Sequence, residues 1–227
     1  MNAPLIRHTI PPLQNGDHLT SAEFERRYDA MPNLKKAELI DGVVYMPSPV
    51  RVEQHGKPHA AIMGWLGFYW ANTPVVAAAD NSTLRLDLDN EPQPDAVLYL
   101  EPGFGGQALI DADGYIEGGP ELVAEVSAST VSIDLHSKLR LYQRIGVREY
   151  VVWRVLDQTI DWFVLRQQQY VPLARAGSLY RSEVFPGLWL DPEALLRFDL
   201  LQLLQTVQAG CATPEHAAFV AAHPRRP

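Results

Sequence analysis

Residues 121–128 read Glu-Leu-Val-Ala-Glu-Val-Ser-Ala, an apolar segment interrupted at its centre by Glu125. A short run of this kind, with Val at two of its positions, suits a strand better than a helix. Side chains alternate along a strand, so Val123, Glu125 and Ser127 share one face and Leu122, Ala124 and Val126 share the other. A strand that is nearly continuously apolar is the pattern of one covered on both sides, inside an α/β sheet. Glu125 is then an interior carboxylate, and burying a carboxylate alone is costly. Something positive is expected beside it. A structural Glu–Lys or Glu–Arg pair meets that need as well as a functional site does.

The segment that follows narrows the choice. From Ile133 to Ile145 the spacing predicts a helix, with Gly146 at its C-terminal stop. Leu135, Leu139, Leu141, Tyr142 and Ile145 form its apolar arc, and His136, Ser137, Gln143 and Arg144 lie opposite. Lys138 falls inside the arc, with Asp134 at its edge. Lys138 either snorkels to solvent or meets Glu125 over the sheet, and Asp134 can also pair with it as a helix neighbour. Upstream, Pro94-Asp95 opens the apolar run Ala96–Leu100, and Pro suits a strand's first position. Glu38 lies in a hairpin around Asp41-Gly42 and is either a third carboxylate or an exposed hairpin residue. An aspartate at a strand start, a glutamate mid-strand and a nearby lysine suit a hard divalent cation, Mg²⁺ or Mn²⁺, and a water nucleophile.

The remaining elements are read from the same signals. Residues 1–19 read as an arm, and Thr20 with Glu23 as a capping box for a helix to about Tyr28. A helix from Val52 to Trp70 is expected to present Ile62, Met63, Leu66 and Trp70, with Pro58 near its first turn. Strands are expected at Val75–Ala79, Thr83–Leu88 and Ala96–Leu100, and residues 103–119 as a glycine-containing loop. A meander follows through Glu149–Val155, Thr159–Leu165 and Tyr170–Leu173, with a further strand near Tyr180–Val184. Asp191-Pro192 opens a C-terminal helix to about Val207. The expectation is one α/β domain over residues 20–208, with 209–227 a tail.

Composition sets bounds. A chain of 227 residues with 47% hydrophobic and 20% charged residues is ordinary for a globular protein. One cysteine, Cys211, excludes a disulfide framework and a multi-cysteine zinc site. The first residues lack a signal-peptide layout, and no apolar run approaches a membrane span, so a cytoplasmic location is expected. The net charge of −8 weighs against a protein that coats nucleic acid, because phosphate binding draws on Lys and Arg. A local basic face with a bound metal remains compatible with it.

The run Pro94-Asp95, then Pro120-Glu-Leu-Val-Ala-Glu125-Val-Ser-Ala-Ser-Thr130, then Asp134, Lys138, Tyr142, Gly146-Val147 and Glu149-Tyr150 resembles the Uma-two family of restriction-endonuclease-like proteins. Glu38-Leu-Ile-Asp41-Gly42-Val and His55 fit the same pattern. The resemblance spans roughly Ser21 to Leu190 and implies the PD-(D/E)xK nuclease fold, a mixed central sheet flanked by helices. It implies Asp95 and Glu125 as metal ligands, Glu38 as part of the acidic cluster and Lys138 as the positive charge, with His55, Ser127 and Asp134 as accessory residues. It also implies a DNA substrate and a homodimer. The superfamily pattern places its lysine two residues after the glutamate, where this chain has Ser127, so Lys138 would be a migrated lysine.

Competing signals are weaker. His55 and His59 have the four-residue spacing of zinc ligands on a helix, without an HExxH context. The glycines at 103–106 do not follow a strand into a helix, and no serine stands in a nucleophile elbow. Two functions follow as expectations: a Mg²⁺-dependent endonuclease, or a metal-binding or oligomeric interaction protein that keeps the fold without hydrolysis.

Overall fold

A computed structural model describes residues 10–46 and 49–224. Its helices are α1 (Ser21–Asp29), α2 (Lys57–Asn72), α3 (Leu139–Ile145), α4 (Pro192–Leu196), α5 (Leu200–Cys211) and α6 (Pro214–Ala222). Its first strands are β1 (Glu38–Ile40), β2 (Val43–Tyr45), β3 (Val76–Asp80), β4 (Leu84–Arg85), β5 (Ala96–Leu100), β6 (Leu109–Ile110) and β7 (Ile116–Glu117). Then come β8 (Leu122–Ser127), β9 (Glu149–Arg154), β10 (Thr159–Arg166), β11 (Gln169–Pro172), β12 (Tyr180–Arg181) and β13 (Trp189–Leu190).

The segment quoted first, now β8, lies between β5 and β9 in a six-stranded sheet of order β11-β10-β9-β8-β5-β3. It runs parallel to β9 and antiparallel to β5, and the sheet's other pairings are antiparallel. A parallel neighbour requires a crossover, supplied by the π-wound turn Ile133–Lys138 and α3. All six residues of β8 are buried. Leu122, Ala124 and Val126 pack in a core with Trp65, Tyr69, Leu195 and Leu203 on one side. Val123 belongs to the opposite core, with Leu141, Tyr142, Val147 and Val152. The two-sided apolar reading of the strand therefore describes its surroundings. A third, smaller core holds Phe24, Leu39 and Val44 under α1 and the β1–β2 hairpin.

Several local expectations need correction. Thr20 is the N-cap of α1 but makes no side-chain cap bond. Glu23 instead engages Arg26 and Arg27 at 2.7 and 2.6 Å, so a full ion pair displaces the weaker capping bond. Trp70 is exposed, and the buried stripe of α2 is Ile62, Trp65, Leu66 and Tyr69. The stretch 103–119 is not all loop: β6 and β7 pair, and β7 runs parallel to β4. Residues 209–222, expected as a frayed helix and tail, continue α5 and form a docked helix, α6. Thr213 caps α6, and His216 of α6 is buried against Thr73, whose hydroxyl lies 2.9 Å from His216 Nε2. Alanines at the surface of a short helix carry little periodic signal, which is why that docking was not legible. Residues 1–9 of the expected arm and 225–227 of the tail lie outside the described residues. Among the described residues no helix is long and apolar enough to cross a membrane.

Candidate active site

The β5–β8 register sets Ala96 against Ala124. One step back along it brings Asp95 opposite Glu125, and directly opposed residues share a face of the sheet. The Asp95 N–H lies 3.4 Å from Glu125 Oε2, and the Val126 N–H donates to Asp95 Oδ2 at 2.8 Å. Both carboxylates are buried. They lie on the side of the sheet that α3 covers, where the crossover delivers Lys138.

Lys138 is 3% exposed. Its Nζ lies 2.8 Å from Glu125 Oε1, 2.8 Å from Glu38 Oε1 and 3.8 Å from Asp134 Oδ1. The snorkelling alternative is thus not what the structure adopts. Glu38 reaches the cluster because the bridge between Leu39 and Glu91 ties the hairpin to the segment before β5. The Gln93 N–H then donates to Glu38 Oε1 at 2.7 Å. Ser127, in the slot two residues after Glu125, donates to Asp134 Oδ2 at 2.7 Å, as Thr130 does at 2.6 Å. Ser127 therefore holds an acid of the helix rather than supplying a cation. The π winding of Ile133–Lys138 is secured by the buried Tyr150 hydroxyl, which donates to the Asp134 carbonyl at 3.0 Å.

Across the strand end, His55 Nε2 lies 3.1 Å from Asp95 Oδ1. His59, one turn on, lies 2.9 Å from the Asp95 carbonyl oxygen and 2.9 Å from Asp80 Oδ1. The pair brackets one aspartate, His55 from the π-wound turn Val52–Gly56 and His59 from the first turn of α2. Two contributors escaped the sequence reading. Lys36 Nζ lies 3.7 Å from Asp95 Oδ1, and the Tyr142 hydroxyl donates to Glu125 Oε1 at 3.2 Å. Lys36 stands two residues before Glu38, a spacing that turns both the same way in extended chain; that was the available signal. Tyr142 was read as part of an apolar arc and of the family-like run, without a role at the site.

The charges are unequal by design of the fold. Burial alone would raise Asp95, but the bond from His55, the Lys36 charge and the Val126 N–H bring its pKa down to about 2. Burial pushes Glu125 up to about 8; Lys138 opposes the rise, and Asp134, Asp95 and Glu38 add to it. Burial works against the Lys138 ammonium, yet Glu125, Glu38 and Asp134 outweigh it and raise its pKa well above the usual lysine value. Lys138 therefore stays charged, and Glu125 is the carboxylate that most readily takes a proton from a crowded acidic group.

The donor chemistry suits a hard cation, since Asp95 and Glu125 offer carboxylate oxygens within a cluster of carboxylates that repel one another. Among the described residues no group of three or more His, Cys, Asp or Glu side chains is placed to hold a metal ion. Glu38 and Asp134 are turned to Lys138.

Comparison with known proteins agrees with this fold. The model of the Uma2 family, described as "Putative restriction endonuclease", matches residues 21–193. A crystal structure from Anabaena variabilis, described as a "putative nuclease belonging to DUF820", superposes with a TM-score of 0.56 at 13% identity. The match covers 76% of this chain and 97% of that one. No curated protein matches the chain.

Proposed function

Because the chain belongs to the Uma2 family, we propose that its acidic cluster is the active site of a metal-dependent endonuclease that hydrolyses DNA phosphodiester bonds. The observation that carries this reading is the opposed pair Asp95 and Glu125, with Lys138 held on Glu125 from the helix although its usual slot contains Ser127. Asp95 and Glu125 would hold one Mg²⁺ or Mn²⁺. Such a cation supplies a lowered water pKa and offsets charge on a phosphoryl oxygen.

The chain's own residues prepare that chemistry. His55 and the Val126 N–H orient the Asp95 carboxylate and keep it ionised. Lys138 and Tyr142 fix one Glu125 oxygen, which leaves Oε2 turned toward Asp95. Glu38 takes part through Lys138, as a positioning residue.

The second reading, a metal-binding or interaction protein without hydrolysis, is favoured by one observation: Lys138 is wrapped by three carboxylates. Nicking of supercoiled plasmid with Mg²⁺ or Mn²⁺ separates the two. The endonuclease reading expects nicking by wild type that requires added metal and is lost in Asp95→Ala. Absence of nicking by folded, metal-binding wild type selects the second reading.

A further inference from the structure

Two lysines approach the cluster, and their surroundings differ. The Lys138 ammonium donates to Glu125 Oε1 at 2.8 Å and pairs with Glu38 Oε1 at 2.8 Å, with Asp134 Oδ1 3.8 Å away. Its side chain is 4% exposed. It is closed off from solvent and turned to three carboxylates. Lys36 lies on the open side. Its side chain is 23% exposed, its distance to Asp95 Oδ1 is 3.7 Å, and its hydrogen bond, at 3.2 Å, is to the side chain of exposed Asn81. An ammonium whose hydrogen bond goes to a neutral, exposed side chain, at the partly exposed edge of the acidic cluster, is free to exchange that partner for an anion.

We propose that Lys36, not Lys138, is the lysine that contacts the nucleic-acid backbone, binding a phosphate at the mouth of the cluster beside Asp95. This rests on the endonuclease reading and assigns the two lysines separate tasks. Lys138 neutralises the buried acids and positions Glu125. Lys36 bonds a phosphate oxygen and holds the strand against the Asp95 side of the site. The division also reconciles an acidic chain with a polyanionic substrate, because the contact needs a local cation rather than a basic surface.

The test compares Lys36→Gln, Lys36→Arg, Lys35→Gln and Lys138→Met in the full chain. Affinity for a short fluorescein-labelled DNA duplex is measured across a KCl series without divalent metal, beside urea midpoints and plasmid nicking. Each lost phosphate contact lowers the slope of log K against log salt by about 0.9. Lys36→Gln should show that loss with a urea midpoint lowered clearly less than in Lys138→Met, and Lys36→Arg should restore the slope. Lys35→Gln makes the same change in net charge one residue away and should keep the wild-type slope. Lys138→Met should lower the urea midpoint.

An unchanged slope in Lys36→Gln, or an equal loss in Lys35→Gln, overturns the assignment while nicking by wild type leaves the endonuclease reading standing. A urea midpoint lowered in Lys36→Gln as far as in Lys138→Met also overturns it, by marking Lys36 as a structural partner of Asp95. Wild type that neither binds the duplex nor nicks plasmid removes both readings together.

Discussion

Glu149 shows how much a single carboxylate can owe to its setting. It begins β9, is wholly buried, and accepts from the Ser182 hydroxyl at 2.7 Å and from the N–H groups of Glu183 and Val184 at 2.7 and 3.3 Å. These bonds tie the chain before β13 to the central sheet. Burial nonetheless outweighs them and raises its pKa from 4.5 to about 7. Between those values the folded chain keeps a proton that the unfolded chain has released. Stability therefore falls as pH rises through that window, by up to about 3 kcal/mol, and the contribution is flat above it. Glu91, also raised to about 7 by burial, acts in the same window. Glu149→Gln is expected to lose less stability than wild type between about pH 5 and about pH 8, measured by urea unfolding at both ends. Equal losses in the two proteins would refute the assignment.

At the scale of elements, two glycines in helices have opposite meanings. Gly64, inside α2, is exposed, and a Cβ there would meet nothing within 4 Å. Gly210, inside α5, lies so close to the Gly187 turn before β13 that a Cβ would sit 2.1 Å from the Gly187 carbonyl oxygen. Helix propensity favours alanine at both by up to about 1 kcal/mol. Packing reverses the sign at one of them. Gly64→Ala is expected to stabilise by about that amount, and Gly210→Ala to destabilise by about 1–3 kcal/mol as α5 is forced off the turn. Chemical denaturation of the two variants checks the pair, and a gain in both would show that the α5–β13 contact yields freely. Periodicity in the sequence cannot distinguish these positions, because the deciding atom belongs to a residue more than twenty positions away.

For the molecule as a whole, the relevant balance is between a net charge of −8 and a group of four carboxylates, the buried Asp95, Glu125 and Asp134 with the half-buried Glu38. A divalent cation that binds only the folded chain stabilises it by mass action, by about 2.7 kcal/mol at a hundredfold excess over Kd. The melting temperature is expected to rise with millimolar Mg²⁺ or Mn²⁺ in wild type and not in Glu125→Gln. Without metal, Glu125→Gln should melt no lower than wild type, since a neutral amide is no costlier to bury than a carboxyl whose pKa burial raises to about 8, and Lys138 keeps Glu38. A metal-free melting temperature far below wild type, with no metal response in wild type, would make Glu125 a structural partner of Lys138 and reject the metal site.

The sequence by itself determined β8 and its burial on both faces, since alternation in a strand needs no knowledge of neighbours. It determined the crossover helix with Lys138 on its inner side, the meander after Gly146, and the choice of Asp95 and Glu125 as carboxylates worth watching. Those are local properties, carried by residue type and spacing. Tertiary structure decided which carboxylates meet. The register of β5 on β8 sets Asp95 against Glu125, the Leu39–Glu91 bridge brings in Glu38, and the π-wound turn Val52–Gly56 with the first turn of α2 brings in two histidines. It also separated the two lysines, closing Lys138 among acids and leaving Lys36 at the rim. Distance through space between residues far apart in the chain has no local signature, because it is fixed by strand pairing and by how helices seat on the sheet.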